Sequence, residues 1–164
     1  MTNPSTPCTA VAPLPPITGT VTVALPIEEA FALFTGSFDR WWPRAFHIGA
    51  ADVDAIVLEP FVGGRWYERG VDGSECDWGR VRQWDVPQRV VFTWQINGAF
   101  QFDPDPRHAS EIDVRFRADG PEETTVDVEH RGFERLVGGQ AVHDTINGGG
   151  GWALLLDAYA KSTR

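Results

Sequence analysis

The sequence predicts one α+β domain in which a meander of antiparallel strands is covered on one face by a terminal helix. Three observations predict it. Turn signals recur at strand-length intervals at Gly63-Gly64, Asp72-Gly73, Pro87-Gln88, Pro104 to Pro106 and Gly120-Pro121. The segments between them alternate apolar and polar residues with the period of two of a half-buried strand. The chain then closes on Trp152, Leu155, Leu156 and Tyr159, which share one face of an amphipathic helix. The strands follow one another without crossover helices, which makes the sheet antiparallel rather than a set of βαβ units.

Taken in order, residues 1–16 hold five of the 12 prolines together with Ser and Thr. Such a composition buries too little apolar area to offset the entropy of ordering, and a flexible leader is expected there. The single domain is expected over 17–164. Ile17, Val21 and Val23 alternate with Thr18, Thr20 and Thr22, giving the first strand. Pro26 suits a first helical turn, and Glu28 and Glu29 suit a helix N-terminus, so a short helix runs to about Gly36. The segment 38–47, with Trp41, Trp42, Pro43 and Phe46, is too aromatic for a solvated loop and is read as a second short helix plus a packed turn. Strands follow at about 53–59, 64–70, 75–84, 89–97, 110–118 and 123–131, making seven with the first.

Alternation assigns the faces. Val90, Phe92, Trp94 and Ile96 share one side of their strand, and Ile112, Val114, Phe116 and Ala118 share one side of theirs. By the same logic Val126, Val128 and His130 point inward, as do Trp66 and Glu68. In the strand from Glu75, Trp78, Arg80, Arg82 and Trp84 have one parity and Val81 the other. A bulge or twisted edge fits this, and the facing is left open.

With 164 residues, the chain suffices for one domain burying roughly 70% of its unfolded surface. Its 42% hydrophobic and 23% charged composition excludes wholesale disorder. Against 23 acidic residues stand 14 Lys and Arg, a formal charge of −9, and the one lysine is Lys161. Such a field repels polyanions, and nucleic acid is not an expected partner. No apolar run is long enough to span a membrane, and no secretory signal opens the chain, so no membrane partner and a cytoplasmic location are expected. Cys8 and Cys76 are too few for a disulfide framework and are read as reduced thiols.

The segments Val23 to Phe34 (VALPIEEAFALF), Glu59 to Glu68 (EPFVGGRWYE), Gly79 to Trp94 (GRVRQWDVPQRVVFTW), Glu129 to Phe133 (EHRGF) and Gly151 to Leu155 (GWALL) carry a resemblance. Together they resemble the SRPBCC superfamily of StAR-related lipid-transfer-like and polyketide-cyclase-like proteins. Within it, they resemble the family named for the C-terminal domain of the ninety-kilodalton heat-shock-protein ATPase activator. The resemblance spans about residues 17–159. It implies a helix-grip fold: a curved seven-stranded antiparallel sheet around a long C-terminal helix, two short helices between strands 1 and 2, and a cavity between sheet and helix. The sequence departs from the family at the four glycines 148–151, where the closing helix either begins only about Gly151 or has loose first turns. It departs again at Trp41-Trp42, Pro43 and His47, which resemble a bacterial subgroup rather than the co-chaperone itself.

Searching for chemistry yields little that is covalent. There is no G-x-S-x-G turn, and neither cysteine has a nucleophile setting. His47, His108, His130 and His143 lack metal-ligand spacings, and neither a metal nor another cofactor is expected. The glycine run at 148 has no strand before it and no Lys-Ser/Thr end, so it reads as a hinge or loop rather than a phosphate cradle. What remains is polar groups on an aromatic interior: Glu68, His130 and Arg80 or Arg82, beside Trp66, Trp94 and Trp152. Glu68 and His130 either approach each other as a coupled acid–base pair, or are satisfied separately, His130 by backbone and Glu68 by solvent at a cavity mouth. Trp42, Phe46, Trp66, Trp78 and Trp152 are candidates for the wall of an apolar pocket, and Trp84 and Trp94 for core filling.

The expected function is binding of an apolar or aromatic small molecule in that cavity. Expected contacts are Trp42, Phe46, Trp66, Glu68, Trp78, Arg80, Trp94, His130 and Trp152. An alternative is a cyclase- or hydrolase-like enzyme in the same cavity with Glu68 or His130 as acid or base. A third reading, co-chaperone-like protein binding, ranks last because the co-chaperone has a further N-terminal domain and only a short leader is read here, so a chaperone partner is not expected. A two-fold homodimer is compatible with the sequence.

Overall fold

The computed structural model describes residues 13–148 and 151–163. Strand β1 (Ile17–Val23) leads into helices α1 (Ile27–Gly36) and α2 (Phe38–Trp41). Six strands follow: β2 (Val53–Leu58), β3 (Arg65–Gly70), β4 (Glu75–Asp85), β5 (Arg89–Trp94), β6 (Ser110–Gly120) and β7 (Glu123–Arg131). A 3-10 turn at Phe133–Arg135 then precedes α3 (Gly139–Asn147) and α4 (Trp152–Ser162). All seven strands form one sheet in the order β1-β7-β6-β5-β4-β3-β2, every neighbour antiparallel. This is the expected α+β helix-grip architecture, with α1 and α2 bridging from one sheet edge to the other.

Pro26 sits at the N-cap of α1, one position before the first helical turn, and Glu28 and Glu29 occupy that turn as the helix dipole favours. The helix buries Ala30, Phe31 and Phe34. α4 buries Trp152, Leu155, Leu156 and Tyr159, the four residues whose spacing predicted it. It lies so close to β1 that a Cβ added at Gly19 would come within 2.8 Å of Leu156 Cδ1, and glycine there sets the depth at which the helix is gripped. The Tyr159 hydroxyl donates to the Ala30 carbonyl at 2.7 Å, joining α4 to α1. Burial pushes this phenol far above its ordinary value, which keeps it a donor.

The long terminal helix of the resemblance is here two pieces. α4 starts at Trp152, as one of the two expectations for the glycine run had it. A Cβ at Gly151 would fall 1.8 Å from the Ile146 carbonyl oxygen, so the chain doubles back there at a distance only glycine permits. Gly149 and Gly150 lie outside the described residues. The preceding helix α3 had no sequence expectation; it buries only Gly139, Val142 and His143. Of the expected leader, residues 1–12, with Cys8, lie outside the described residues. Leu14 N donates to Glu134 Oε1 at 3.2 Å and His143 Nε2 bonds the Pro15 carbonyl at 2.9 Å, so the last leader residues are seated on the domain.

The β4 strand, whose facing the alternation left open, carries two register shifts. Trp66 pairs with Gly79 and Tyr67 with Asp77, which leaves Trp78 as an extra residue; Val81 pairs with Phe92 and Gln83 with Val91, which leaves Arg82 as another. The first shift lets Trp78 and Val81, of opposite parity, both be buried.

Candidate functional site

Between the sheet, α3 and α4 lies a cavity of about 390 Å³. Its floor is aromatic: Trp78 from β4, Trp94 from β5 and Trp152 from α4, with Trp42 and Phe46 from the turn after α2. Ala45, His47 and Ile48 close one side; Val142, Thr145 and Ile146 of α3 close another. The rim is the turn at Asn97, Gly98 and Phe100. Phe100 is exposed and held at φ 59°, a left-handed conformation uncommon outside glycine.

The indole N–H groups of all four lining tryptophans are committed to the protein. Trp42 Nε1 donates to the Phe46 carbonyl at 2.8 Å and Trp94 Nε1 to the Ile96 carbonyl at 3.1 Å. Trp78 Nε1 donates to Glu68 Oε1 at 3.0 Å and Trp152 Nε1 to His130 Nδ1 at 3.1 Å. An indole whose donor is satisfied elsewhere offers a cavity only its carbon surface. The polar side chains in the lining are therefore His47, Asn97 and Thr145. Asn97 Oδ1 accepts from the backbone N–H groups of Ala99 and Gln101, and the Thr145 hydroxyl donates to the Ala141 carbonyl.

Of the nine residues expected to contact a ligand, Trp42, Phe46, Trp78, Trp94 and Trp152 lie in the lining. Trp66, Glu68, Arg80 and His130 do not. Trp66 is sealed below the floor, its ring centroid 5.0 Å from Trp78 and 4.8 Å from Phe92. Its Nε1 has no hydrogen-bond partner among the described residues. Arg80 is turned away by the shift at Trp78 and bonds Asp77 Oδ2 at 3.0 Å; Arg82 is exposed.

Glu68 and His130, weighed as a coupled pair, share no hydrogen bond. Glu68 is 1% exposed. Its Oε1 accepts from the backbone N–H of Ile48 at 2.7 Å and of Gly49 at 3.0 Å, in addition to Trp78. Its Oε2 meets His47 Nδ1 at 3.0 Å. Neither solvent nor His130 satisfies this carboxylate; it fastens residues 47–49, and so the side of the cavity they form, to the sheet. A Cβ at Gly49 would fall 2.7 Å from Oε2, so a larger residue there would have to shift the carboxylate.

His130 is fully buried and closed on both nitrogens. Nδ1 accepts from Trp152, which places the ring hydrogen on Nε2, 2.8 Å from Ser110 Oγ; that hydroxyl donates to the Trp94 carbonyl at 3.0 Å. Burial, with a smaller contribution from His143, pushes the imidazole down to about 3 and keeps it neutral. Among the lining residues that sequence reasoning did not name as ligand contacts is His47, which it weighed only as a metal ligand and quoted as part of a local likeness. A signal was available in its place just after an aromatic turn.

Fold and cavity together define a helix-grip protein with an internal apolar chamber under its terminal helices. The chain belongs to the family described as Activator of Hsp90 ATPase homolog 1-like protein, whose model matches residues 24–160, within the SRPBCC superfamily. It is similar to the structure titled as an anthrahydroquino-gamma-pyrone synthase, Txn09, complexed with SUM. The two are 35% identical, with 92% of this chain and 97% of that one covered and a TM-score of 0.65. It is equally similar to CalC from Micromonospora echinospora, titled a self-sacrificing resistance protein, at 35% identity over 91% and 94% of the chains with a TM-score of 0.66. Protein NE0264 from Nitrosomonas europaea shares the fold at 12% identity, 90% and 93% coverage and a TM-score of 0.62. No curated protein sequence matches the chain. Among the described residues no group of three or more His, Cys, Asp or Glu converges as a metal site, and no helix is long and apolar enough to cross a membrane.

Proposed function

We propose that the chain binds a flat aromatic small molecule in the cavity between sheet and terminal helices, with Trp42, Phe46, Trp78, Trp94 and Trp152 as its contacts. The observation that carries this reading is the commitment of all four lining indole N–H groups to protein acceptors, which leaves aromatic carbon as the dominant surface. The volume falls within the usual range for small-molecule sites, roughly 300–1,000 Å³. Similarity to a synthase named for a fused-ring aromatic product supports the ligand class.

The test is calorimetric titration with alizarin, a planar hydroxyanthraquinone, against the wild type and Thr145→Trp. Thr145 is exposed yet lines the cavity, so a larger side chain fills the chamber with little cost to folding. Saturable one-to-one binding that weakens at least about tenfold in the variant is expected, the loss of ~1.4 kcal/mol or more. Equal affinity in both proteins overturns the assignment.

The same similarity to a synthase favours a second reading, in which the cavity also transforms its occupant. Glu68 and His130 would then act through the groups they position, because neither lies in the lining. Glu68→Gln and His130→Asn lower turnover of a bound polyketide under this reading and leave no turnover to lose under the first.

A further inference from the structure

We propose that His47 is the polar anchor of this cavity, and that it selects aromatic ligands carrying a hydroxyl donor, phenols and enols, over their ethers. The inference rests on the aromatic-cavity reading and names a residue and a ligand class within it.

The argument starts at Glu68. A carboxylate offers acceptors only, and this one already accepts three N–H groups at Oε1, so the hydrogen between Oε2 and His47 belongs to Nδ1 of the imidazole. A neutral imidazole with its hydrogen on Nδ1 has a lone pair at Nε2. Nε2 has no hydrogen-bond partner among the described residues, whereas His47 lines the cavity and keeps 20% of its side chain accessible. The ring is thus fixed at its inner nitrogen by a buried group and open at its outer one, the arrangement by which a carboxylate sets the tautomer of a working histidine.

The other polar lining groups do not present the same acceptor. Asn97 Oδ1 is engaged by two backbone donors of its own turn; the Thr145 hydroxyl, its hydrogen given to the Ala141 carbonyl, can still accept, but on an exposed residue where water competes for it. Among walls that are mostly carbon, one fixed acceptor discriminates a ligand that brings a donor from one that brings none. An ether of the same shape can still accept from Asn97 Nδ2 but leaves Nε2 unpaired.

The test compares 2-naphthol with 2-methoxynaphthalene by titration calorimetry at about pH 8.5. The wild type should prefer the naphthol about three- to tenfold. His47→Asn, whose amide nitrogen replaces Nδ1 toward Glu68 and has nothing at the place of Nε2, should bind both probes alike while holding the ether within about twofold of wild type. His47→Gln, whose amide oxygen reaches the place of Nε2, should restore part of the preference. Equal binding of the two probes by the wild type, or an undiminished preference in His47→Asn, overturns the inference and leaves the cavity reading intact. Binding of neither probe overturns both.

Discussion

Glu68 and His130 are the two fully buried titratable side chains beneath the aromatic floor, and they differ in where their hydrogen bonds lead. The chain from His130 is closed: Trp152 at one nitrogen, Ser110 at the other, then the Trp94 carbonyl. The set around Glu68 is open at one point, since three donors are backbone or indole and the fourth is a histidine with a free nitrogen in the cavity lining. Equal burial thus serves two ends. One centre joins the terminal helix to the sheet; the other holds a loop and presents a group to the cavity. A buried polar residue is read by following its network to the end, not by its own environment.

Glu68→Ala should show the largest effect on that comparison. It strands two backbone N–H groups, an indole and an imidazole at once, and chemical denaturation should register a loss of roughly 3–5 kcal/mol. A loss under about 1 kcal/mol would show that water replaces the carboxylate freely. His130→Leu leaves Trp152 Nε1 and Ser110 without their partner and should cost about 2–3 kcal/mol, while the naphthol preference of the refolded protein stays as in wild type. A changed preference would mean that the closed network is not closed.

Acid separates the two centres further. Folded His130 resists protonation down to about 3, whereas the unfolded imidazole takes up its proton near 6.5. Between those values the unfolded chain binds more protons, so stability falls as pH drops through the window, on the order of 1 kcal/mol per pH unit. Denaturation midpoints measured from pH 7 to 4 should show this slope, and His130→Leu should flatten it. A further loss sets in below the ordinary carboxylate value of 3.8 in both proteins. There, burial alone would raise the Asp113 carboxyl, but the guanidinium groups of Arg89, Arg131 and Arg115 outweigh it and hold the carboxyl well below that value. An unchanged slope in the variant would show that His130 is not its source.

Smaller effects sharpen the contrast. Ser110→Ala removes one link of the closed chain and should cost about 1–2 kcal/mol by thermal or chemical denaturation. His47→Asn should cost least, under about 1 kcal/mol, because its partner keeps four donors. A denaturation loss comparable to that of Glu68→Ala would make His47 a structural residue.

Much of the frame was legible. Alternation placed Glu68, His130, Trp66 and Phe92 on the inner face, and the spacing of Trp152, Leu155, Leu156 and Tyr159 located the terminal helix. Parity names a face, however, and says nothing of depth: Trp66 shares its face with the cavity floor but lies one layer beneath it. Nor does parity survive an inserted residue: the facing of the strand from Glu75 could not be read, and Arg80, named as a ligand contact, is turned to Asp77. The partner of Glu68 was out of reach for another reason. His47 lies 21 positions away in a loop without periodicity, and only the fold brings the two within 3.0 Å. α3 was missed although Val142 and Ile146 stand four apart on one face: it has only nine residues, and it runs from Gly138-Gly139 into the glycines at 148–151, which read as loop.

Four indole rings around one small chamber also make the protein its own optical reporter. Their excited states respond to the polarity of whatever lies against them, so displacing solvent by a guest shifts intrinsic emission toward the blue, and a quinone guest quenches it. Occupancy can therefore be followed on the untagged chain.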